Sequence, residues 1–124
     1  MKKGDFRTLG ASAHSLEERE VNDFYATDPI ALEKFLDESG IELNNVWECA
    51  CGEGHLAKVL DERKLLGRAT DLIDRGYGDT EVDFYFSSEV WQGDILTNPP
   101  YGDAMKFCGH ALDCVDDGSK VIML

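Results

Sequence analysis

The stretch Asp94-Ile95-Leu96-Thr97-Asn98-Pro99-Pro100-Tyr101 passes from apolar to rigid within one residue. Proline has no N–H, fixes its own φ and pushes the residue before it into extended geometry, so Asn98 and Pro99 are both held out of a helix. The result is a stiff corner rich in acceptors, in which backbone carbonyls and the Asn98 amide oxygen can face a ligand instead of a neighbouring strand. Tyr101 adds a flat stacking face beside them. Such a set suits a planar group bearing an amino group, for example a nucleobase. The plainer reading of the same residues is a strand-ending turn with a surface tyrosine.

A second constellation lies upstream. Gly52-Glu53-Gly54-His55-Leu56-Ala57 satisfies G-x-G-x-x-A after a predicted strand, and Asp71 follows Gly54 by 17 residues, close to the spacing of an acid that binds ribose. Glycines let a ligand approach the backbone, and a carboxylate at a strand end accepts from ribose hydroxyls. The pattern fits a nucleoside cofactor of either kind, NAD or S-adenosylmethionine. Charge separates them: Glu53 in the turn and Glu48 just before it repel a pyrophosphate at a helix N-terminus, whereas an ammonium and a sulfonium favour nearby carboxylates. The loop is therefore read as a site for S-adenosylmethionine.

Alternating elements must position these residues. Ile30, Leu32, Phe35 and Leu36 recur at helical spacing, with Thr27 or Asp28 as N-cap, Pro29 in the first turn and Gly40 as the stop. Asn45 to Cys49 reads as a strand, followed by the glycine loop and a helix to about Lys64. Further strands are expected over Gly67 to Thr70, Val82 to Phe86, Gly93 to Thr97 and Lys120 to Leu124, with a helix over Ala104 to Val115. Strands alternating with helices predict an α/β fold, a parallel sheet of about five strands with flanking helices. Residues 1–21 read as a flexible arm, with a short helix at Ser15 to Arg19, and residues 22–124 as one domain.

Composition narrows the classes. At 124 residues the chain holds one domain at most, and its 43% hydrophobic content is that of a globular protein. No apolar run reaches the length of a membrane span, and Met1-Lys2-Lys3 is followed by no apolar stretch, which predicts a cytoplasmic protein without a secretory signal. Cys49, Cys51, Cys108 and Cys114 form no CxxC pair, so free thiols are expected, and no metal, over a zinc site at Cys49, Cys51 and His55. His14, His55 and His110 read as surface or helix residues. A formal net charge of −13 opposes a grip on phosphate backbones.

Taken together, three segments in order resemble the N6-adenine DNA methyltransferases, particularly a phage-like group: Asp23-Phe24-Tyr25-Ala26-Thr27-Asp28-Pro29, Glu48-Cys49-Ala50-Cys51-Gly52-Glu53-Gly54 and Asn98-Pro99-Pro100-Tyr101. The resemblance covers about residues 24–124. It implies a Rossmann-like class I methyltransferase core that takes S-adenosylmethionine and acts on double-stranded DNA. Residue by residue, it places Tyr25 and Thr27 near the methionine end of the cofactor. The Glu48-Cys49-Ala50 segment with Gly52 and Gly54 lies under the cofactor, and Asp71 with Leu72 beside the ribose. Asp83 and Phe84 become the adenine-edge acid and its stacking neighbour, with Asp74 as the fallback acid. Asn98, Pro99, Pro100 and Tyr101 form the catalytic tetrad, which would hold the N6 hydrogens of an adenine flipped onto Tyr101.

The family pattern also implies further strands and a target-recognition region after Leu124, so the chain reads as a C-terminally truncated core with weak DNA binding. Its last strand, Val121-Ile122-Met123-Leu124, would be an edge open to homodimer pairing. Two rival functions remain at this stage. One is methyl transfer to protein glutamine or RNA amino groups, and the other is an inactive cofactor-binding or dimerisation module.

Overall fold

The structure, a computed structural model, describes residues 27–87 and 90–124. The expected arm over residues 1–21, the helix at Ser15 to Arg19, His14 and Tyr25 lie outside the described residues.

Helix α1 spans Pro29–Ser39. It starts where the sequence dictates, with the Asp28 carboxylate accepting the Ile30 N–H at 2.9 Å and Pro29 in the first turn, where its missing donor costs nothing. It stops at Gly40, whose φ of +68° places it in the left-handed region. Strand β1 (Val46–Glu48) leads through the glycine loop into α2 (His55–Glu62), and β2 covers Leu66–Ala69. Strand β3 (Ile95–Thr97) is followed by a 3₁₀ turn at Tyr101–Asp103, α3 (Ala104–Cys114) and β4 (Val121–Met123).

These strands make a four-stranded, all-parallel sheet in the order β2-β1-β3-β4. The fold class expected from the sequence, α/β with a helix-covered parallel sheet, is therefore present, with four strands among the described residues where about five were expected. The segment Val82 to Phe86, expected as a strand, is instead a 3₁₀ turn over Phe84–Phe86. Its cause is local. Asp83 accepts the Tyr85 N–H on its side chain at 3.0 Å and the Phe86 N–H on its carbonyl at 3.0 Å, an alternative to strand pairing that aspartate readily supplies. Successive aromatics then diverge: Phe84 is 2% exposed and Phe86 86%.

Because side chains alternate across a strand, the sheet builds two cores. Val46 and Leu96 point to one face, where Leu32, Leu56, Val59 and Leu60 from α1 and α2 cover them. Trp47 and Ile95 point to the other, where Phe84, Phe107, Ala111 and Cys114 close over them. Each large apolar side chain buried this way contributes about 1.5–3 kcal/mol.

The N-terminal ends of the strands are tied by one buried acid. Asp94, 4% exposed, accepts the Asn44 N–H at 2.7 Å and the Lys120 N–H at 2.8 Å on its carboxylate. Its carbonyl takes the Trp47 N–H at 2.9 Å. Asp94 thus joins the starts of β1, β3 and β4, and leaves the opposite pole to the loops. Among the described residues no helix is long and apolar enough to cross a membrane.

Candidate functional site

In a parallel sheet, ligands bind beyond the C-terminal strand ends where the chain changes direction along the sheet. Here β1 is followed by β2 on one side, and β3 lies on the other side of β1, so the switch point falls between β1 and β3. The glycine loop leaves the end of β1, and Asn98-Pro99-Pro100-Tyr101 leaves the end of β3. Both constellations therefore come to one pole, on adjacent strands.

Glu48 forms the floor between them. It ends β1 at 1% exposure and accepts the Ala50 N–H at 2.9 Å and the hydroxyl of Thr97, which ends β3. Burial pushes its carboxyl up to about 7, against the lowering effect of the Thr97 and Ala50 hydrogen bonds, and nearby Asp71 raises it further. Glu48 is thus a structural bridge beneath the crevice, not an acid lining its surface.

The glycine loop is fastened to the end of β2. Gly52 donates its N–H to the Asp71 carboxylate at 2.7 Å, the other oxygen of Asp71 accepts the Ile73 N–H at 2.9 Å, and the Cys51 N–H reaches the Thr70 carbonyl at 2.9 Å. Asp71 therefore shapes the loop as well as standing beside it. An N–H already given to a carboxylate is a poor start for a pyrophosphate cradle. Leu72 next to it is 51% exposed. Asp74, further along this loop, accepts the Gly76 N–H at 2.9 Å.

Sequence reasoning missed the group that covers the loop. The ring of Tyr77 lies on Gly54 so closely that a Cβ added there would come within 2.6 Å of it, and Gly54 itself has φ +93°. The Cys51 thiol donates to the Tyr77 carbonyl at 3.6 Å, and the Lys58 ammonium sits 5.4 Å from the ring centroid. Tyr77 between Gly76 and Gly78, both at positive φ, was the one signal of a sharp fold-back.

At the proline corner, the Asn98 side-chain amine donates to the Thr27 hydroxyl at 2.6 Å. The Thr97 carbonyl accepts the Leu124 N–H at 3.0 Å and the Pro100 carbonyl the Asp103 N–H at 2.9 Å, while no hydrogen bond from the described residues reaches the Pro99 carbonyl. Pro99 is buried and Tyr101 is 72% exposed. Asn98, Pro99, Tyr101, Ala104, Met123 and Leu124 line a depression of about 360 Å³ over the ends of β3 and β4.

Other candidate residues sit elsewhere. Phe84 has its ring stacked on Phe107 at 5.2 Å and meets the edges of Trp47 and His110, so its faces are taken by the protein. As a stacking plate for a ligand it is already occupied, because an aromatic after Asp83 had a deeper apolar pocket to fill. Asp83 caps the 3₁₀ turn. Cys49 is buried, and burial raises its thiol well above the usual range and that of Cys51 to about 12, so both stay protonated. Among the described residues no three His, Cys, Asp or Glu side chains converge as metal ligands would.

Comparison of the chain with protein-family models, with curated proteins and with solved structures returns no match.

Proposed function

We propose that this chain is the core of an S-adenosylmethionine-dependent methyltransferase of Rossmann-like class, acting on the N6 amino group of adenine in DNA. The observation that carries the reading is the position of the Asn98-Pro99 corner at the end of β3, one strand from the glycine loop, on the two sides of the switch point. The acids support a cationic cofactor over a phosphorylated one: Asp71 holds a loop N–H, and Glu53 is exposed beside it. The depression next to Asn98 and Pro99 has room for a purine.

The chemistry follows from the acceptors. The exocyclic nitrogen of adenine is a weak nucleophile because its lone pair is delocalised into the ring. With one N6 hydrogen held by the Asn98 amide oxygen and the other by the Pro99 carbonyl, the nitrogen pyramidalises and its lone pair turns out of the ring plane. The bound cofactor supplies a sulfonium methyl. That methyl would be taken by the lone pair that Asn98 and Pro99 turn toward it, the sulfonium sulfur keeping the bonding electron pair and the extra N6 proton passing to solvent. Tyr101 offers its exposed ring as the stacking surface. Catalysis is by positioning and electrostatics, with no strong base required.

The net charge of −13 favours a second reading, transfer to an amide or amino group not borne on a polyanion, such as a glutamine side chain. Calorimetric titration is expected to show binding of S-adenosylmethionine and none of NAD. Labelled methyl should pass to unmethylated duplex and fall to background in Asn98→Ala. Label appearing only in a glutamine-containing peptide would select the second reading, and NAD binding in place of S-adenosylmethionine would reject both.

A further inference from the structure

We infer that the solvent face of α3 is an interface between two copies of this chain, packed antiparallel about a two-fold axis that passes beside Cys108 and Gly109. The helix is apolar on two sides. Phe107, Ala111 and Cys114 are buried in the core, and on the opposite side Met105 is 85% exposed and Leu112 59%, with Gly109 exposed between them. Spacings of four and three residues set Met105, Gly109 and Leu112 in one row along the helix. A helix that docks by one face carries polar residues on the other, so this second apolar row calls for a partner. Gly109 is an independent sign of one. Glycine in a helix interior is less favourable than alanine, yet a Cβ built on Gly109 meets nothing within 4 Å, so no group of the same chain requires its absence. What it offers is a place where a second backbone can come close.

The row is its own complement. Met105 and Leu112 stand equally far along the chain from the midpoint between Cys108 and Gly109, so a two-fold axis there lays Met105 of one copy against Leu112 of the other. Charge selects the same arrangement. Lys106 and Asp113, both exposed, lie two turns apart on one flank of the row, with the Lys106 ammonium 5.7 Å from the Tyr85 ring centroid. Antiparallel packing faces this flank with the same flank of the other copy in reverse order, which sets each lysine against an aspartate. Parallel packing would oppose like charges. The other flank brings the half-buried Cys108 of one copy towards that of the second. A face of this length buries less than the roughly 1,200 Å² of a stable complex, and the charge of −13 on each copy opposes association, so the dimer is weak, with a Kd on the order of 100 µM. This surface is separate from the β4 edge, and it stands whether or not the chain transfers methyl groups.

Sedimentation of the full chain under reducing conditions, from about 10 µM to about 1 mM, should show the mass rise from one copy towards two. Gly109→Leu keeps the helix and blocks the close approach, so it should raise the Kd by about tenfold or more, although it makes the face more apolar. Lys106→Glu should weaken association likewise, and Lys106→Glu with Asp113→Lys should return the Kd to within about threefold of wild type. Cross-linking reads the register. In a Cys108→Ser background, a Met105→Cys chain is mixed with a Leu112→Cys chain and oxidised, two copper(II) ions taking two electrons and solvent two protons as each disulfide forms. The mixed pair should link about tenfold faster than either like pair, because only it brings the two sulfurs within bonding reach. A monomer at every concentration, tighter association of Gly109→Leu, or like pairs that link as fast as the mixed one each overturns the proposal.

Discussion

Two buried contacts carry consequences that single substitutions can read. Glu48 ionises near 4.5 in the unfolded chain and about 7 in the folded one. Between those values the native state holds more protons than the unfolded state, so the Glu48 contribution to stability declines as pH rises from 4.5 to 7 and stays low above it. Full expression of that shift amounts to roughly 3 kcal/mol. Glu48→Gln should therefore flatten the stability profile in this window relative to wild type, measured by urea unfolding at several pH values; parallel profiles would remove Glu48 as the cause. Gly54→Ala meets two obstacles, a φ of +93° and the Tyr77 ring 2.6 Å from the new Cβ. It should lose about 2 kcal/mol, and Tyr77→Ala in the same chain should recover only the steric part, since the strain of a positive φ remains.

At the scale of elements, Asp94 is the critical join, because its oxygens take the N–H groups of Asn44, Trp47 and Lys120 at the starts of β1 and β4, and β3 begins at the next residue. Asp94→Ala leaves the Asn44 and Lys120 N–H groups without their acceptor and should cost roughly 3 kcal/mol by denaturant unfolding, more than Asp94→Asn. The elements themselves were largely legible from the chain. Pro29 and Gly40 bound α1 because a missing donor and a free φ have no other use there, and the apolar runs ending at Glu48 and Thr97 had only strand-like spacing. Val82 to Phe86 misled because its β-prone aromatics satisfy two patterns, and the Asp83 side chain decided for the turn. Within the candidate site, the two loops and their common pole could be read, since motif and alternation fix them. The contacts of Thr27 with Asn98, Thr97 with Glu48 and Tyr77 with Gly54 could not, because each joins residues distant in sequence whose meeting depends on the finished packing.

For the whole molecule, 25 acidic residues against 12 basic ones set how it meets its partners. Counterion release scales with the phosphates neutralised, so the slope of log K against log salt for this chain on duplex DNA should be no steeper than about −2. A steep slope would show a concentrated basic surface that the overall charge conceals. S-adenosylmethionine at one hundred times its Kd should raise the melting temperature on the order of 10 °C, and NAD at the same concentration should leave it unchanged. The division of labour along the strands has its own result. Among the described residues the clasp at Asp94 and the loops at the far pole share no hydrogen bond, so a lesion in the clasp should leave intact the bonds that Glu48, Thr70, Asp71 and Thr27 make to those loops, and foreign turns grafted there would have to rebuild each of these ties.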